Sequence, residues 1–590
     1  MHWLTMEDER DKIQQLRNNE YYCMQEEFDN LYKRSKENYK FKNLMEKIKL
    51  EKNIRLSYRN IKTNKGSKTN GLSGKNLTII EKMELWEYIA LIRKNLENYK
   101  PQVIKQVGIP KSNGKIRYLG IKEPLDKIIE QTIYQILNPI TIAKFHNNSN
   151  GFIEGRSCRR AIAQMENYII KEKLFYVVDI DLKGFFDNIN HGKLLKQLWT
   201  LGIQDKNLIS LISKLLKAEV YGKGTIEKGV PQGGILSPLL ANVVLNELDW
   251  WLESKKCKGI KFVRYADDFK ILCPTFSIAR KMLKITAEWL RNRLKLEVNE
   301  DKTKIVNLKK NYSDFLGIRI KVKIKKNKIK IISHMSEKAI EKCEEKVKKQ
   351  LKKIKKHQQN HKKTEEEIKL YNSIVVGSHN YYDMATMIYQ DLKNISFITN
   401  KYIIRNFKNV LTLNDKIQKN NFIIKKYGDD KPYPCIRGFP IALIGKIKPN
   451  PLKYKGNKIN FYEEKLRMKF YKNLELCNTF VIEQILNNAQ YEKSVGFNDN
   501  VISKFCGQYG KCAISDDIII NYKNCIAIKK NKTMGDKYDN ILIVKKQYQE
   551  LLNLENGDDI IKMEMLKKYT TYKEIKKINK IRVENKLLPI

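Results

Sequence analysis

The stretch KFVRYADDFKIL, Lys261–Leu272, sets two adjacent carboxylates, Asp267 and Asp268, inside a run whose flanks read as buried strand. Like charges side by side in apolar surroundings repel each other and resist desolvation, so a compensating charge is required. A second stretch, YVVDIDLKGFFDNINH (176–191), supplies Asp179, Asp181 and Asp187. Alternation along a strand turns Asp179 and Asp181 to one face, away from Ile180 and Leu182. If that strand lies beside a hairpin turning at Ala266-Asp267, three carboxylates converge. They can then hold a pair of Mg2+ ions about 3.5–4 Å apart, which stabilise the attacking and leaving oxygens of an in-line phosphoryl displacement. The cations are then the missing compensation.

The elements that must position these acids surround them. From 101 to about 325, β-rich runs such as LFYVVDIDL and FVRYADDFKIL alternate with amphipathic helices such as SIARKMLKITAEWLRNRL, which predicts a compact α+β domain. Residues 1 to about 100 read as helical, with apolar periodicity in EKMELWEYIALIRKNLENY (81–99). They are interrupted by the basic, turn-rich NIKTNKGSKTNGLSG (60–74) with Lys62, Lys65 and Lys68. Residues 321–370 hold 18 Lys against 7 Glu. There Ile340, Cys343, Val347, Leu351 and Ile354 form an apolar stripe on a helix whose other faces carry Lys342, Lys346, Lys349, Lys353 and Lys356. Five of the 13 prolines fall between Pro432 and Pro451, predicting an extended linker or loop-rich junction before a last unit at about 455–590.

A chain of 590 residues exceeds one core and suggests three or four units. Its 114 Lys and Arg against 66 Asp and Glu, a formal charge of +48, are the footprint of a polyanion-binding protein. Nucleic acid is the first partner class and an anionic membrane the second. No 18-residue apolar run and no signal-peptide core at MHWLTMEDERDKIQQ are found, so the expected location is cytoplasmic, with no membrane partner. Ten scattered cysteines without a C-x-x-C pair indicate neither a disulfide framework nor a zinc ribbon, and no zinc is expected.

Tyr265-Ala266-Asp267-Asp268, Asp181 and GVPQGGILSPLLANVVLNELD (229–249) together resemble the palm of reverse transcriptases. IPKSNGKIRYLGI (109–121), GFIEGRSCRRAI (151–162) and VNEDKTKIVNL with FLGI (298–318) narrow the resemblance to bacterial group II intron-encoded reverse transcriptases and maturases. It runs in order over roughly 55–320 and more faintly to about 400. It implies an α+β right-hand polymerase, with fingers and palm, an α-helical thumb and maturase domain, and a small C-terminal α/β or irregular domain. The expected division is 1–100 N-terminal helical extension and start of the fingers, 101–325 fingers and palm, and 326–430 thumb and maturase domain X. A linker and DNA-binding region (431–500) and a degenerate HNH-like region (501–590) follow.

By the same resemblance Asp181, Asp267 and Asp268 are the catalytic, metal-binding triad for two Mg2+, with Mn2+ as an alternative, and Asp179 and Asp187 are structural. Phe186 matches the aromatic gate that excludes a 2′-hydroxyl. Gln232 matches the residue touching the incoming nucleotide, and the two glycines after it let backbone approach the paired substrate. Lys302 matches a lysine reaching the site from the far edge of the palm. Triphosphate binding by Lys111 and Arg117 together carries a geometric condition. A two-residue turn at Asn113-Gly114 pairs Lys111 with Ile116 and turns Arg117 away, whereas a three-residue loop pairs Lys111 with Lys115 and brings Arg117 to the same face.

In the flanks, 60–74 resembles the extra motif that covers the template strand, making Lys62 and Lys65 candidate RNA contacts. The lysine-rich helix and YNSIVVGSHNYYDMA (371–385) are similar to the thumb and domain X, which adds Lys342, Lys346, Lys349 and Lys353. Tyr371, Tyr381 and Tyr382 read equally as base-stacking or as packing residues. Residues 505–544 resemble an HNH nuclease in outline, with Cys512 and Asn540 in place. Where the family has histidines, however, this chain has Cys525-Ile526-Ala527-Ile528, and all seven histidines lie at or before His379. The resemblance thus implies an RNA-directed DNA polymerase and intron maturase without its own endonuclease. Its partners would be group II intron RNA, a DNA target and primer, and dNTPs, with a homodimer as the candidate assembly. A splicing-only RNA-binding maturase and a domesticated defence reverse transcriptase stay open at this point.

Overall fold

A computed structural model describes residues 17–110, 114, 116–255, 259–326, 328–414, 421–428, 433–454, 460–471, 477–554 and 570–590. The described residues divide into two compact units. One comprises 146–183 and 245–458, here the sheet unit; the other comprises 17–145, 184–244 and 459–590, here the helical unit.

In the sheet unit, helix α1 (Cys158–Lys171) precedes strand β1 (Tyr176–Ile180). Strands β2 (Lys261–Tyr265) and β3 (Asp268–Cys273) form a hairpin, followed by helix α2 (Phe276–Trp289) and strand β4 (Lys304–Asn307). The four strands make one antiparallel sheet in the order β2-β3-β1-β4. Local chemistry sets the helix starts: Ser157 accepts from Arg160 N at the head of α1, and Thr275 accepts from Ile278 N at the head of α2. Val177, Val263, Leu272 and Val306 join Ala161, Ile162, Met165 and Ile169 of α1 in one core. That alternation of apolar residues fixes the register, since a one-residue slip would turn the set to the other face.

The same core continues without a break into the following elements. Strands β5 (Ser313–Phe315), β6 (Ile318–Lys325) and β7 (Lys328–Met335) form a second sheet, and helices α3 (Glu337–His357), α4 (His361–Tyr382) and α5 (Ile388–Phe407) pack beyond it. On α3 the predicted stripe is the buried one: Cys343, Val347, Leu351 and Ile354 are all buried, and Ile340 packs at its edge. A boundary at 325/326 is therefore not a break in packing. The proline-rich junction is loop-rich, one of the two forms expected there, but it is no extended linker. Tyr433–Ile436 and Phe439–Pro440 pair in a small sheet, and Ile441, Ala442 and Ile444 are fully buried in the same core. Proline withholds a backbone donor but does not keep its neighbours out of a core.

The helical unit is built on the packed helices Gln25–Lys36, Glu51–Lys62, Leu85–Glu97 and Pro124–Ile142, with the hairpin Lys105–Pro110 and Ile116–Ile121. The C-terminal helices Thr479–Asn487 and Val495–Gly507 belong to this unit rather than to a separate DNA-binding body. Val495 N donates to Met83 O and Leu85 N to Lys493 O, both at backbone level. Every residue from Val495 to Ser503 is buried, because this helix is covered on all sides. The short strands Cys525–Lys529 and Ile541–Lys545 pair beside it. Asn540, the expected nuclease asparagine, spends its amide on the carbonyls of Asn531, Met534 and Gly535, closing a surface loop. Among the described residues no helix is long and apolar enough to cross a membrane.

Candidate active site

Strand β1 ends at Ile180, so Asp181 stands just past its tip while Asp179 remains within it. Both line one cavity of about 530 Å³ in the sheet unit, together with Asp268, Lys270, Lys302, Lys304 and Asp314. Ile180, which strand alternation turns away from the two acids, lines the same cavity, because the strand ends there.

The hairpin β2–β3 pairs Tyr265 with Asp268, leaving Ala266 and Asp267 as the two-residue turn. Asp268 opens β3 and points its carboxylate into the cavity lining; Asp267 sits in the turn and is not part of that lining. Among the described residues no three His, Cys, Asp or Glu side chains come together as a ready metal cluster. Asp181 and Asp268 line this cavity together, and each is engaged by neighbouring side chains.

Asp181 Oδ2 is 3.2 Å from Lys302 Nζ and accepts a hydrogen bond of 3.1 Å from Asn299 Nδ2. Lys302 thus stands beside the acid, from the 298–318 segment. The backbone makes the same link, with Asn299 N donating to Asp181 O at 2.7 Å. Asp268 faces Lys270, 3.6 Å away, and Lys270 lies 3.2 Å from Asp179 directly across the strand pair. Ser313 Oγ donates to Asp179 as well. Burial pushes the Asp179 carboxyl up, with Lys270 opposing that rise. Burial would lower Lys270, but Asp179 and Asp268 outweigh it and keep the ammonium charged. The protein around Asp268 also raises its carboxyl against the pull of Lys270, and solvent tempers the effect because 43% of that side chain is exposed. Compensation for the adjacent carboxylates thus comes partly from lysine, which the sequence analysis assigned wholly to bound cations.

The other candidate nucleotide contacts that are described, Arg117, Phe186 and Gln232, lie in the helical unit. The hairpin pairs Pro110 with Ile116 and Ile109 with Arg117. A two-residue turn at Asn113-Gly114 requires Pro110 opposite Arg117, so the observed register is that of the longer loop. Lys111 and Lys115 themselves lie outside the described residues. Arg117 Nε donates to Gln232 Oε1 at 2.7 Å, and both line a cavity of about 310 Å³ with Tyr118, Asp187, Lys223 and Lys228. Asp187, read from the sequence as structural, thus borders this cavity. Phe186 is half-buried edge-on against Phe185, and its carbonyl accepts from Val230 N, two residues before Gln232. Gly233 of PQGG has φ +112°, and a Cβ there would lie 2.6 Å from Gly120 O, so the neighbouring strand backbone itself requires glycine at this position.

Of the candidate RNA contacts, Lys342, Lys346, Lys349 and Lys353 are exposed on α3. Lys62 is instead held 2.5 Å from the buried Asp499 and hydrogen-bonds Asn500. Lys65 begins a single 3-10 turn, Lys65–Lys68. Tyr371 is fully buried, so packing is its role. Tyr381 and Tyr382 are half-buried edge to face, and Tyr381 donates to Leu316 O. Sequence reasoning passed over Lys270, Asn299 and the buried pair Arg264–Asp249. A signal was present for Arg264 and Lys270, each a charged residue set inside an otherwise apolar strand run.

Comparison with known proteins bears on this arrangement. The family profile described as Reverse transcriptase (RNA-dependent DNA polymerase) matches residues 109–320, which hold Arg117, Asp181, Gln232, Asp267, Asp268 and Lys302. Protein YkfC of Escherichia coli is 30% identical over 297 residues, covering 44% of this chain and 77% of that protein. The group II intron-encoded protein LtrA of Lactococcus lactis is 30% identical over 340 residues, covering 45% of this chain and 55% of LtrA. This chain belongs to the group II intron-encoded reverse transcriptases. Its mixed sheet and helix architecture is that of a right-hand polymerase. Among solved structures, apo telomerase from Candida tropicalis aligns with a TM-score of 0.30 at 17% identity, covering 40% of this chain and 56% of that one. The group II intron-encoded reverse transcriptase described here spans about half of LtrA's length.

Proposed function

We propose that the protein is an RNA-directed DNA polymerase that also serves as the maturase of a group II intron, binding the intron RNA, assisting its splicing and copying it into DNA. The observation that carries this reading is the cavity where Asp181 and Asp268 meet within the reverse transcriptase segment. Reverse transcriptases use divalent metal ions, and the donor set here suits one: carboxylate oxygens are hard ligands of the kind Mg2+ prefers. Asp181, Asp267 and Asp268 are the residues that would hold it, with Lys302 and Asn299 yielding Asp181. When bound, such ions supply charge stabilisation to the attacking and leaving oxygens of phosphoryl transfer.

The side chains themselves do the rest. Lys270 keeps a fixed positive charge behind Asp268, and Arg117 with Gln232 presents donors suited to a triphosphate or to the paired nucleotide. The exposed lysines of α3 and the charge of +48 favour a structured RNA as the main polyanion. No histidine follows His379, so residues 380–590 hold no histidine-dependent nuclease.

Primer extension on an RNA template with Mg2+ tests the reading. Asp268→Ala should lower dNTP incorporation by at least about 1,000-fold, a loss on the scale of removing a main electrostatic contributor. Intron RNA binding and splicing assistance should stay within about twofold of the parent, a difference of roughly 0.4 kcal/mol. Equal loss of polymerisation and splicing assistance would overturn the division of labour.

A further inference from the structure

We propose that Arg264 and Asp249 form a buried clamp that sets the backbone of the Ala266-Asp267 turn, and that Gly151 supplies the space the turn needs. These are positioning residues, and the inference rests on the reading of Asp267 and Asp268 as catalytic acids. Ala266 has φ +57°, a left-handed conformation that a residue bearing a Cβ adopts only when its surroundings enforce it. The enforcement is on hand. Arg264 donates through Nε to Asp249 Oδ1 at 2.8 Å and through Nη2 to Asp249 Oδ2 at 2.5 Å, and both residues are fully buried. Its remaining terminal nitrogen, Nη1, donates to Ala266 O at 2.8 Å. The planar guanidinium therefore fixes one end on a carboxylate and reads the turn carbonyl with the other, a geometry that lysine cannot reproduce.

A second set of contacts holds the hairpin from outside the sheet. Arg264 N donates to Asn148 O at 2.9 Å and Asn150 N donates to Arg264 O at 2.8 Å, so residues 148–150 run alongside β2. Gly151 follows immediately, and a Cβ there would collide with Ala266 N. The strained turn is thus determined on one side by a charged hydrogen bond and on the other by a missing side chain. Both GFIEGRSCRRAI and LNELD thereby acquire a role: they deliver Gly151 and Asp249 to the turn.

Breaking a buried ion pair can unfold a protein, whereas replacing both partners by apolar residues of similar size is often tolerated. The double variant Asp249→Leu/Arg264→Met therefore separates stability from positioning. It removes the charges together but leaves Ala266 O without its donor. Thermal unfolding, RNA-template affinity, and the kcat and KM for dNTP incorporation are measured for the parent, the double variant and Gly151→Ala, with Asp268→Ala as the inactive control. Expected for the double variant is a near-parental Tm and template affinity with kcat lowered about 100-fold, the scale of an ångström-sized misplacement. A folded double variant with parental kcat would show the pair to be structural only and overturn the proposal. Should the double variant not fold, Gly151→Ala decides: a folded Gly151→Ala enzyme with parental kcat overturns the clamp, and a selective fall in kcat supports it. A parent that incorporates no dNTP would sink the functional reading instead, which keeps the two failures distinct.

Discussion

Asp499 is a buried carboxylate with three partners drawn from the other end of the sequence. Lys62 lies 2.5 Å away, Arg59 3.3 Å, and Tyr22 donates to its other oxygen at 2.5 Å. Burial raises its pKa, yet Lys62 and then Arg59 outweigh that, and the carboxyl is held below the usual range. A carboxyl depressed in the folded state adds stability above its unfolded value, about 3.9, and that stability is lost as the pH falls through the folded value. Asp499→Asn leaves two partly exposed cations without a counter-charge and should cost about 3 kcal/mol at pH 7, the low end for a broken buried pair. Urea unfolding of the parent and the variant checks this. The gap between them should narrow below about pH 4, as the parental carboxyl takes up its proton; a gap that stays constant from pH 7 to pH 3 would refute the ionic origin of the effect.

At the scale of elements, helix α4 illustrates what a sequence carries and what it does not. The stripe on α3 follows local periodicity, and the structure buries Cys343, Val347, Leu351 and Ile354 as that spacing expects. The hydrogen bonds that hold the end of α4 go to partners 48 and 65 positions away and leave no trace in local spacing. His379 in its last turn is buried between Tyr427 Oη, 2.8 Å from Nδ1, and Ile444 O, 2.8 Å from Nε2. The same non-locality hid Lys270 opposite Asp179 and Arg264 against Asp249, because register and burial are decided by strand pairing and not by spacing. Burial lowers the His379 pKa to about 4. With an unfolded value near 6.5, the unfolded chain binds the proton first, so stability is fully present above about pH 6.5 and falls between there and pH 4. The loss over that window should be about 3 kcal/mol. His379→Gln, which does not titrate, should flatten this slope, as read by urea midpoints of the sheet unit at pH 7 and pH 4.5. An identical slope in the variant would assign the acid sensitivity elsewhere.

For the whole molecule, the C-terminal region is the point at which linear reading and folded organisation part. Composition and the lack of histidines suggest an appendage, yet residues 495–503 of the helix Val495–Gly507 are all buried, polar Asn498, Asp499, Asn500 and Ser503 included, and such burial requires neighbours that a linear segment cannot show. Some of those neighbours are C-terminal, the strand Ile541–Lys545 among them, and others are N-terminal: Arg55 donates to Leu486 O at 2.9 Å, Ser494 pairs with Glu84, and Asp499 binds Lys62 and Arg59. The C-terminal helices thereby act as part of the core beneath the helix Glu51–Lys62. A chain ending at residue 458 should therefore lose protection in that helix while the strand Tyr176–Ile180, whose core lies in the sheet unit, keeps its own. Hydrogen exchange read by peptide mass makes the comparison directly. Removal of RT-scale protection, that is about tenfold faster exchange per 1.4 kcal/mol lost, is expected across residues 51–62. Unchanged exchange there would mean that the C-terminal region is an independent body after all, and that its burial contributes nothing to the polymerase half of the chain.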